Sequence, residues 1–430
     1  MIFNSKNEKF IFYNFPVILF SLIPFFLITG PFLSDLSISL ISLIFLFYCL
    51  KKKNFSHFKN KYFYFFLFFW FYLIFNTFIN NFNFDSLKIS FFYFRFGVFV
   101  IAIATLIKVN NDFIKIFFYC IFFCFLILII DGFYQYFYGV NIFGWERIGS
   151  RVSSFFGDEL ILGSYLSRIW PIFFGLSLLY LNKKSNLFII VILTFILSEV
   201  LVFLSGERTS FFYINLSAIF VILFSSKLLK LRLITLLSSL LIIIIITYFN
   251  PTAKQRMIDK TIGQLNIVDV YGKINLSDMQ DGIYIFSRQH THHYISGYRM
   301  FLDNKVLGVG VKNFKNFCGY QKYRKSKLSC STHPHNTYVQ ILSETGIIGF
   351  LFLMFVFFYF CKYVFKHLLS KLKGKQYFTD FEICLLSGIL IYLWPLAPTG
   401  SIFNNWLNII MYLYLPLLYW SRNQLIKLNI

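Results

Sequence analysis

Apolar residues in this chain are grouped into long uninterrupted runs, and polar residues are largely confined to the segments between them. A run of about 20 apolar residues is long enough to cross the roughly 30 Å hydrocarbon core of a bilayer as a helix. Barrel strands would instead alternate within segments of about ten residues. The pattern therefore predicts an all-α polytopic membrane protein with about 12 transmembrane helices. The predicted spans cover residues 10–29, 31–50, 62–80, 89–107, 112–130, 160–181, 187–205, 209–226, 233–249, 339–361, 380–397 and 404–421.

One polar stretch, residues 250–338, is too long to be a simple connection between two spans. It divides the chain into residues 1–249 with spans one to nine, the loop itself, and residues 339–430 with spans ten to twelve. Within the loop, the pattern predicts an amphipathic helix at Ser287–Asp303 that lies against the membrane face. The apolar face of this predicted helix carries Ile295, Tyr298 and Leu302.

Composition and charge narrow the class of protein. The 430 residues are 58% hydrophobic and 13% charged, which is too little polar surface for a soluble domain. The formal net charge of +22 could indicate nucleic-acid binding, but much of it lies in short loops between spans, where basic residues set orientation. The positive-inside rule then predicts that both termini are cytoplasmic and that the 250–338 loop is external. No nucleic-acid partner is predicted.

Arginine is distributed differently from lysine, because most arginines fall on the predicted outer face. The planar guanidinium group binds phosphate through two hydrogen bonds, so this set predicts an anionic ligand at the outer membrane–water boundary. For any single arginine, snorkelling at the interface or pairing with a carboxylate is an equally good interpretation. Arg95 and Arg168 fall inside predicted spans, where a charge needs a cavity or a partner, and Glu199 is the expected partner. The outer arginines are Arg95, Arg147, Arg151, Arg168, Arg208, Arg256, Arg288, Arg299 and Arg324.

Histidines and cysteines concentrate in the long loop. The spacing of His290, His292 and His293 lacks a further ligand pattern or an acidic or cysteine cluster nearby, so no metal site is predicted. Cys318 and Cys330 lie twelve positions apart on the predicted outer side. In an oxidising compartment this pair predicts a disulfide.

The segment Thr332–Asn336 precedes the tenth predicted span. Thr332 or His333 would cap a helix with Pro334 in its first turn, which would place His335 in that turn as well. Because a helix N-terminus disfavours a protonated imidazole, His335 is predicted to stay neutral and to accept a proton from a hydroxyl group. The alternative is a histidine that only marks the membrane interface, and for His333 the two interpretations are equal.

Three segments, in this order, resemble the O-antigen ligase and O-antigen polymerase superfamily of bacterial inner membranes. They are Leu204–Thr209 with Arg208; Arg299 followed by Leu307, Gly308, Val309, Gly310 and Phe314; and His335–Asn336 followed by Leu342, Glu344, Gly346 and Gly349. Two positions depart from the family pattern. Val306 stands where the family commonly has proline, and Glu207 precedes Arg208 where serine is usual. We expect Glu207 to pair with Arg208 and to weaken its role toward phosphate.

The resemblance implies a glycosyltransferase that moves a glycan from undecaprenyl diphosphate to an acceptor hydroxyl on the periplasmic face. The acceptor would be lipid A-core in a ligase and another lipid-linked repeat unit in a polymerase. It also implies direct, inverting displacement without metal or cofactor, because arginines can stabilise the diphosphate leaving group. The catalytic residues would be His335, Arg208 and Arg299. The substrate-binding residues would be Arg288, Arg168, Arg95, His333 and Asn336.

Two further alternatives remain open. One is a protein-glycosylating transferase of the same superfamily. The other belongs to a different class, a polysaccharide or lipid transporter, which would also need many spans and buried arginines. A transporter is expected to show paired repeats with charges near the membrane midplane, and this sequence shows no convincing internal repeat.

Overall fold

The structure is a computed structural model that describes residues 5–181, 186–226, 229–264 and 286–428. Every regular element in these ranges is a helix. Helices satisfy their own backbone hydrogen bonds, which is the condition for crossing a bilayer. The fold class predicted from the sequence, an all-α polytopic membrane protein, is therefore confirmed.

Each of the twelve predicted spans coincides with a helix. Among the described residues, nine helices are long and apolar enough to cross a membrane, and Arg208–Phe224 is apolar but shorter. The exact count of twelve spans stays a prediction. The helices are Lys6–Thr29, Pro31–Lys51, Lys61–Ile79, Phe84–Val109, Phe113–Tyr138, Leu162–Tyr180, Asn186–Leu204, Arg208–Phe224, Leu229–Phe249, Thr337–Leu372, Asp380–Leu393 and Asn405–Leu428.

The centre of the bundle is the helix Leu162–Tyr180, which is buried along most of its length. Its aromatic rings interlock with those of the neighbouring helix: the Phe173 ring centroid lies 4.7 Å from that of Phe195. Helices at the periphery, such as Leu229–Phe249, leave most of their apolar side chains exposed. An apolar exterior of this extent is what a lipid environment requires.

Arg232 lies inside a helix that begins earlier than the predicted span 233–249. It was expected in the loop before the ninth span, but its helix already begins at Leu229 and Arg232 is fully buried. Its Nη1 lies 2.5 Å from Glu199 Oε1, and its guanidinium lies 4.5 Å from the Trp170 ring. Glu199 is therefore the partner of Arg232, and the expected pairing with Arg95 or Arg168 is wrong. A buried charge pairs with the carboxylate on the adjacent packed helix.

The described parts of the predicted 250–338 loop contain several short helices joined by turns, and residues 265–285 lie outside the described part of the chain. Pro251–Lys254, Gln255–Asp259 and Lys260–Gln264 form consecutive short turns. Further on, the helix Arg288–Asp303, here called the loop helix, is followed by the short helices Phe314–Phe317 and Lys327–Ser329.

The loop helix forms where it was predicted, but it buries a different face. Ser287 caps it by accepting a hydrogen bond from the backbone N–H of His290. Tyr298 and Leu302, which belong to the face predicted to lie against the membrane, are about half exposed, and that placement stays a prediction. Packing is instead set by Gly297, where a Cβ would lie 2.6 Å from a methyl carbon of Val339. Close helix contact favours small and polar side chains here, and the buried set is His292, His293, Ser296, Gly297 and Met300.

The helix Thr337–Leu372, here called the long helix, is broken at Gly346, whose φ is 63°. The carbonyls of Ser343 and Glu344 are freed by the break and accept hydrogen bonds from the N–H groups of Val309 and Gly310. A Cβ at Gly346 would lie 2.3 Å from the carbonyl oxygen of Val306, so the break requires glycine. The second and third family-like segments therefore meet at this point.

Candidate active site

His335 lies just before the long helix rather than in its first turn. The helix begins at Thr337 and is capped by Asn336, whose Oδ1 accepts hydrogen bonds from the N–H groups of Tyr338 and Val339. His335 adopts a left-handed φ of 55°. The prediction that Thr332 or His333 caps the helix is wrong, because asparagine, a strong N-cap residue, occupies the position next to the helix.

Four histidine side chains lie close together around the turn that carries His335. Their rings belong to His290 and His293 of the loop helix and to His333 and His335, and we call them the histidine cluster. The ring centroid of His335 lies 4.1 Å from that of His333, 5.4 Å from that of His293 and 5.5 Å from that of His290. His335 is thus the centre of the cluster. Within the described residues, no group of three or more His, Cys, Asp or Glu side chains is arranged to hold a metal ion.

Ser331 is the hydrogen-bond partner of the His335 ring. Its Oγ lies 2.9 Å from the carbonyl oxygen of His333 and 3.0 Å from His335 Nε2. When the hydroxyl donates to the carbonyl, Ser331 Oγ accepts from Nε2–H. In that tautomer the lone pair of His335 is on Nδ1, which is the nitrogen that can receive a proton from a substrate hydroxyl.

The cluster is uncharged at neutral pH. The pKa of His335 is lowered to about 3. Burial is the largest cause, and the neighbouring rings of His333, His290 and His293 contribute the rest. Burial also lowers the pKa of His290 to about 4, with contributions from His293 and from the positive charge of Arg208. A neutral His335 was expected from the sequence. The main physical causes in the structure, however, are desolvation and neighbouring imidazoles rather than a helix N-terminus.

A turn at Ser205–Arg208, here called the arginine turn, collects three guanidinium groups. Arg151 Nε donates to the carbonyl oxygen of Ser205, and Arg256 Nε donates to that of Gly206, both at 3.1 Å. Gly206 has a φ of 68°, and a Cβ there would lie 2.5 Å from Arg256 Nε. Arg208 follows directly, so Arg151 and Arg256 support its turn. The sequence analysis had counted both only among the outer arginines.

Glu207 is directed away from Arg208. Its carboxylate accepts hydrogen bonds from the backbone N–H groups of Gly163 and Ser164 at 2.7 and 3.0 Å, and from the Ser210 hydroxyl at 2.9 Å. A carboxylate at the start of the helix Leu162–Tyr180 is stabilised by the unpaired N–H groups there. The expected pairing of Glu207 with Arg208 is therefore wrong, because the carboxylate is bound by Gly163, Ser164 and Ser210.

Arg208 lies beside the histidine cluster. Its charge lowers the pKa of His290, and the ring of His290 faces His335. Among the other predicted binding residues, Arg168 is buried nearby, with Nη1 2.6 Å from Ser164 Oγ. His333 is part of the cluster itself, and its Nε2 lies 3.2 Å from the carbonyl oxygen of Thr399. The structure therefore brings His333 and His335 together, Arg208 acts on the cluster through the charge that His290 senses, and Arg168 lies at Ser164.

Three predicted arginines are not brought to this point. Arg299 follows His290 by nine residues, which places it on the opposite face of the loop helix and about 13 Å further along it. Its Nη1 donates to the carbonyl oxygen of Arg324 at 3.0 Å. Arg288 is exposed in the first turn of the loop helix. Arg95 pairs with Asp35 at 2.5 Å in a different part of the bundle.

A disulfide joins Cys318 and Cys330, whose Cα atoms lie 4.9 Å apart. Cys318 is fully buried in a small core with Met300, Val309 and Phe314. The segment that leaves Cys330 carries Ser331, which holds His335. The disulfide therefore fixes the hairpin that leads into the histidine cluster.

Sequence reasoning missed His290 and His293 as neighbours of His335. Their spacing of three residues shows that they share one face of a helix, but no local pattern indicates that this face meets residue 335. The amide of Asn336, which was predicted to bind substrate, is used within the fold: Nδ2 donates to the carbonyl oxygen of Pro395 at 2.7 Å.

Residues 192–354 match the family model described as O-antigen ligase. No curated protein matches the chain. The matched residues contain the arginine turn, the loop helix, the histidine cluster and the break at Gly346. They include all three segments on which the resemblance rests, and the match confirms that resemblance.

Proposed function

We propose, on the premise that this chain belongs to the O-antigen ligase superfamily, that it transfers a glycan from undecaprenyl diphosphate to a hydroxyl of lipid A-core. The reaction takes place on the periplasmic face of the inner membrane, with both termini in the cytoplasm. One observation supports the proposal: His335 is a neutral imidazole at the centre of the histidine cluster, and the positive charge of Arg208 acts on His290 of the same cluster.

The leaving group of this reaction is a diphosphate on which negative charge develops. Arg208 binds it, because a guanidinium group offers parallel N–H donors to phosphate oxygens and keeps its charge when partly buried. Arg151 and Arg256 hold the turn that aims Arg208 and add positive charge behind it. Guanidinium groups supply the charge stabilisation, so the proposal requires no metal ion or cofactor.

The acceptor hydroxyl is oriented by His335. Its Nδ1 accepts the hydroxyl proton while the acceptor oxygen bonds to the anomeric carbon and the bond from that carbon to the phosphate oxygen breaks. This displacement inverts the anomeric centre. A pKa of about 3 makes His335 a weak base in the empty site. The bound diphosphate introduces negative charge beside the cluster and raises that pKa, so His335 gains basicity when donor is present.

Arg299 is given a different role from the one that the resemblance implies. Its guanidinium holds the backbone of Arg324 on the face of the loop helix opposite His290. We therefore assign it to positioning the disulfide hairpin, and we assign donor handling to Arg208 with Arg168 nearby.

The test is reconstitution of the purified full-length protein in vesicles with undecaprenyl-diphosphate glycan and lipid A-core. The expected product is lipid A-core carrying the glycan, formed together with free undecaprenyl diphosphate. Growth of the lipid-linked glycan without attachment to lipid A-core would show that the protein is a polymerase and not a ligase. Movement of intact donor across the bilayer with no transfer to any acceptor would instead support a transporter.

The metal-free scheme has its own test. The rate of transfer is expected to be the same in EDTA as in buffer containing divalent cations. A rate that collapses in EDTA and returns with one divalent ion would contradict the assignment of charge stabilisation to arginine.

A further inference from the structure

A second polar cavity of about 460 Å³ lies in the bundle and shares no residue with the histidine cluster or the arginine turn. Four separate parts of the chain line it: the starts of the helices Pro31–Lys51, Phe84–Val109 and Asn405–Leu428, and the segment that follows Gly310. All four are on the predicted outer side, the side of His335. Its polar lining is formed by Asp35, Asp85, Lys88, Arg95, Lys312 and Asn405.

The cavity offers donors and acceptors of both signs. Arg95 and Asp35 neutralise one another, and Asp85 is 3.7 Å from Lys315. In the part of the chain that the structure describes, Lys88 and Lys312 have no carboxylate within 4.0 Å, so their ammonium groups remain available to a ligand.

This mixture selects a class of ligand. The lining carries three basic and two acidic side chains, Lys88, Arg95 and Lys312 with Asp35 and Asp85. An apolar ligand would leave these charged groups unsatisfied. A polyhydroxylated ligand donates hydrogen bonds to carboxylates and accepts them from ammonium and amide groups. The exposed ring of Phe92 adds an apolar wall for the C–H face of a sugar. The volume is within the range of about 300–1,000 Å³ that small-ligand sites occupy.

The cavity is linked mechanically to the proposed reaction site. Glu344 in the long helix accepts hydrogen bonds from the backbone N–H groups of Lys312 and Phe314. Glu344 follows His335 by nine residues, so the segment that carries Lys312 is held by the helix that begins just after His335.

We propose that this cavity is a second saccharide subsite that holds a sugar residue of one substrate while the transfer reaction takes place at His335. The proposal rests on the proposed function. The sugar belongs either to the glycan of the donor or to the core oligosaccharide of the acceptor, and both have the same recognition chemistry.

Direct binding tests the subsite without requiring turnover. The full-length protein in lipid nanodiscs is titrated calorimetrically with two probes, deacylated core oligosaccharide and glycan released from the donor. One probe is expected to bind wild-type protein, and Lys88→Gln and Lys312→Gln are each expected to raise its Kd about tenfold. The matched control is Lys322→Gln, because Lys322 is exposed and pairs with Asp303 far from the cavity lining. Its Kd should equal that of the wild type.

The probe that binds identifies the source of the sugar. In the transfer assay, the two cavity variants should then raise KM for that substrate alone and leave kcat near the wild-type value. Binding that depends on Lys88 and Lys312 in a protein that performs no transfer would support the subsite and reject the proposed function. Active transfer by variants that bind both probes as the wild type does would overturn the subsite. Absence of binding of either probe to wild-type protein would overturn it as well.

Discussion

The two halves of the loop helix lie in different surroundings. The N-terminal half presents His290 and His293 to His335, and His293 is fully buried there. The C-terminal half presents Arg299 to the backbone of Arg324 at the edge of the disulfide hairpin. One half thus belongs to the candidate active site, and the other supports the loop around it.

The contrast teaches that a family-like residue and a site residue need not coincide. Arg299 carries the resemblance, yet a helix turns by about 100° per residue, so nine residues rotate a side chain to the opposite face. His290 carries no part of the resemblance, yet its ring faces that of His335. The helix face on which a residue lies therefore distinguishes candidate site residues from supporting residues better than membership of the family motif does.

The largest effect is expected from His335→Ala, which removes the imidazole at the centre of the histidine cluster. Loss of a positioned proton acceptor should lower kcat about 10²- to 10⁴-fold, and donor binding should persist because Arg208 is intact. Single-turnover kinetics together with an equilibrium donor-binding assay check both parts. A variant that retains wild-type kcat would remove His335 from the mechanism.

The next effect compares the two arginines directly. Arg208→Ala should lower kcat/KM about 10²- to 10³-fold, because it removes a donor from the developing diphosphate charge. Arg299→Ala should lower stability by about 1 kcal/mol, through loss of one hydrogen bond to the Arg324 carbonyl. Its kcat/KM should stay within about threefold of the wild-type value, because a loss of that size to folding leaves most molecules native.

Parallel kinetic and thermal-unfolding measurements on the two arginine variants check this prediction. Equal losses of kcat/KM in both variants would return Arg299 to a catalytic role. They would also contradict the different roles given to the two halves of the loop helix.

The spans were predictable from the sequence because membrane crossing depends on a local property. The run that becomes Phe113–Tyr138 is apolar throughout, and no distant contact is needed to make it a helix. Positions that depend on a partner were predicted less well. Arg232 was expected in a loop, since its burial depends on Glu199 of another helix.

The candidate site shows the same limit more strongly. His335 could be chosen as a candidate from its surroundings in the sequence, and its catalytic role stays a prediction; the lowered pKa agrees with the expected neutral state. Its position before the helix could not, because two neighbouring polar residues competed with Asn336 as the cap. The approach of His290 depends on how tightly the loop helix packs on the long helix. That distance is set by Gly297 and Val339 and leaves no periodic signal.

A smaller effect is expected when this packing distance is changed. Gly297→Ala places a Cβ 2.6 Å from the stiff Val339 side chain, which forces the loop helix away from the long helix and moves His290 and His293 from His335. A displacement of about 1 Å near a reacting group can cost up to 100-fold, so we expect a loss of about tenfold in kcat. The matched control is Gly319→Ala, where a Cβ meets no atom within 4 Å. Equal activity of Gly297→Ala and Gly319→Ala would show that the reaction tolerates a larger distance between His335 and the histidines of the loop helix.

The smallest effect concerns pH and again separates the two halves. The unfolded chain protonates its histidines near pH 6.5, whereas burial lowers the pKa of His290 to about 4 and that of His335 to about 3. Between about pH 6.5 and 4 these two histidines therefore bind more protons in the unfolded state than in the folded state. Their contribution to the free energy of unfolding rises with pH in this window, so their contribution on acidification is destabilising.

The contribution of His290 to this slope belongs to the N-terminal half of the loop helix. His290→Gln removes one group whose pKa differs between the folded and unfolded states, so the Tm should fall less between pH 6.5 and 4.5 than in the wild type. Arg299→Ala changes no group that titrates in this window and should lower the Tm at every pH without altering its dependence on pH. Thermal unfolding of the purified protein at several pH values measures both slopes. If His290→Gln left the slope unchanged, the buried neutral state of His290 would be rejected, and with it the physical basis for distinguishing the two halves of the loop helix.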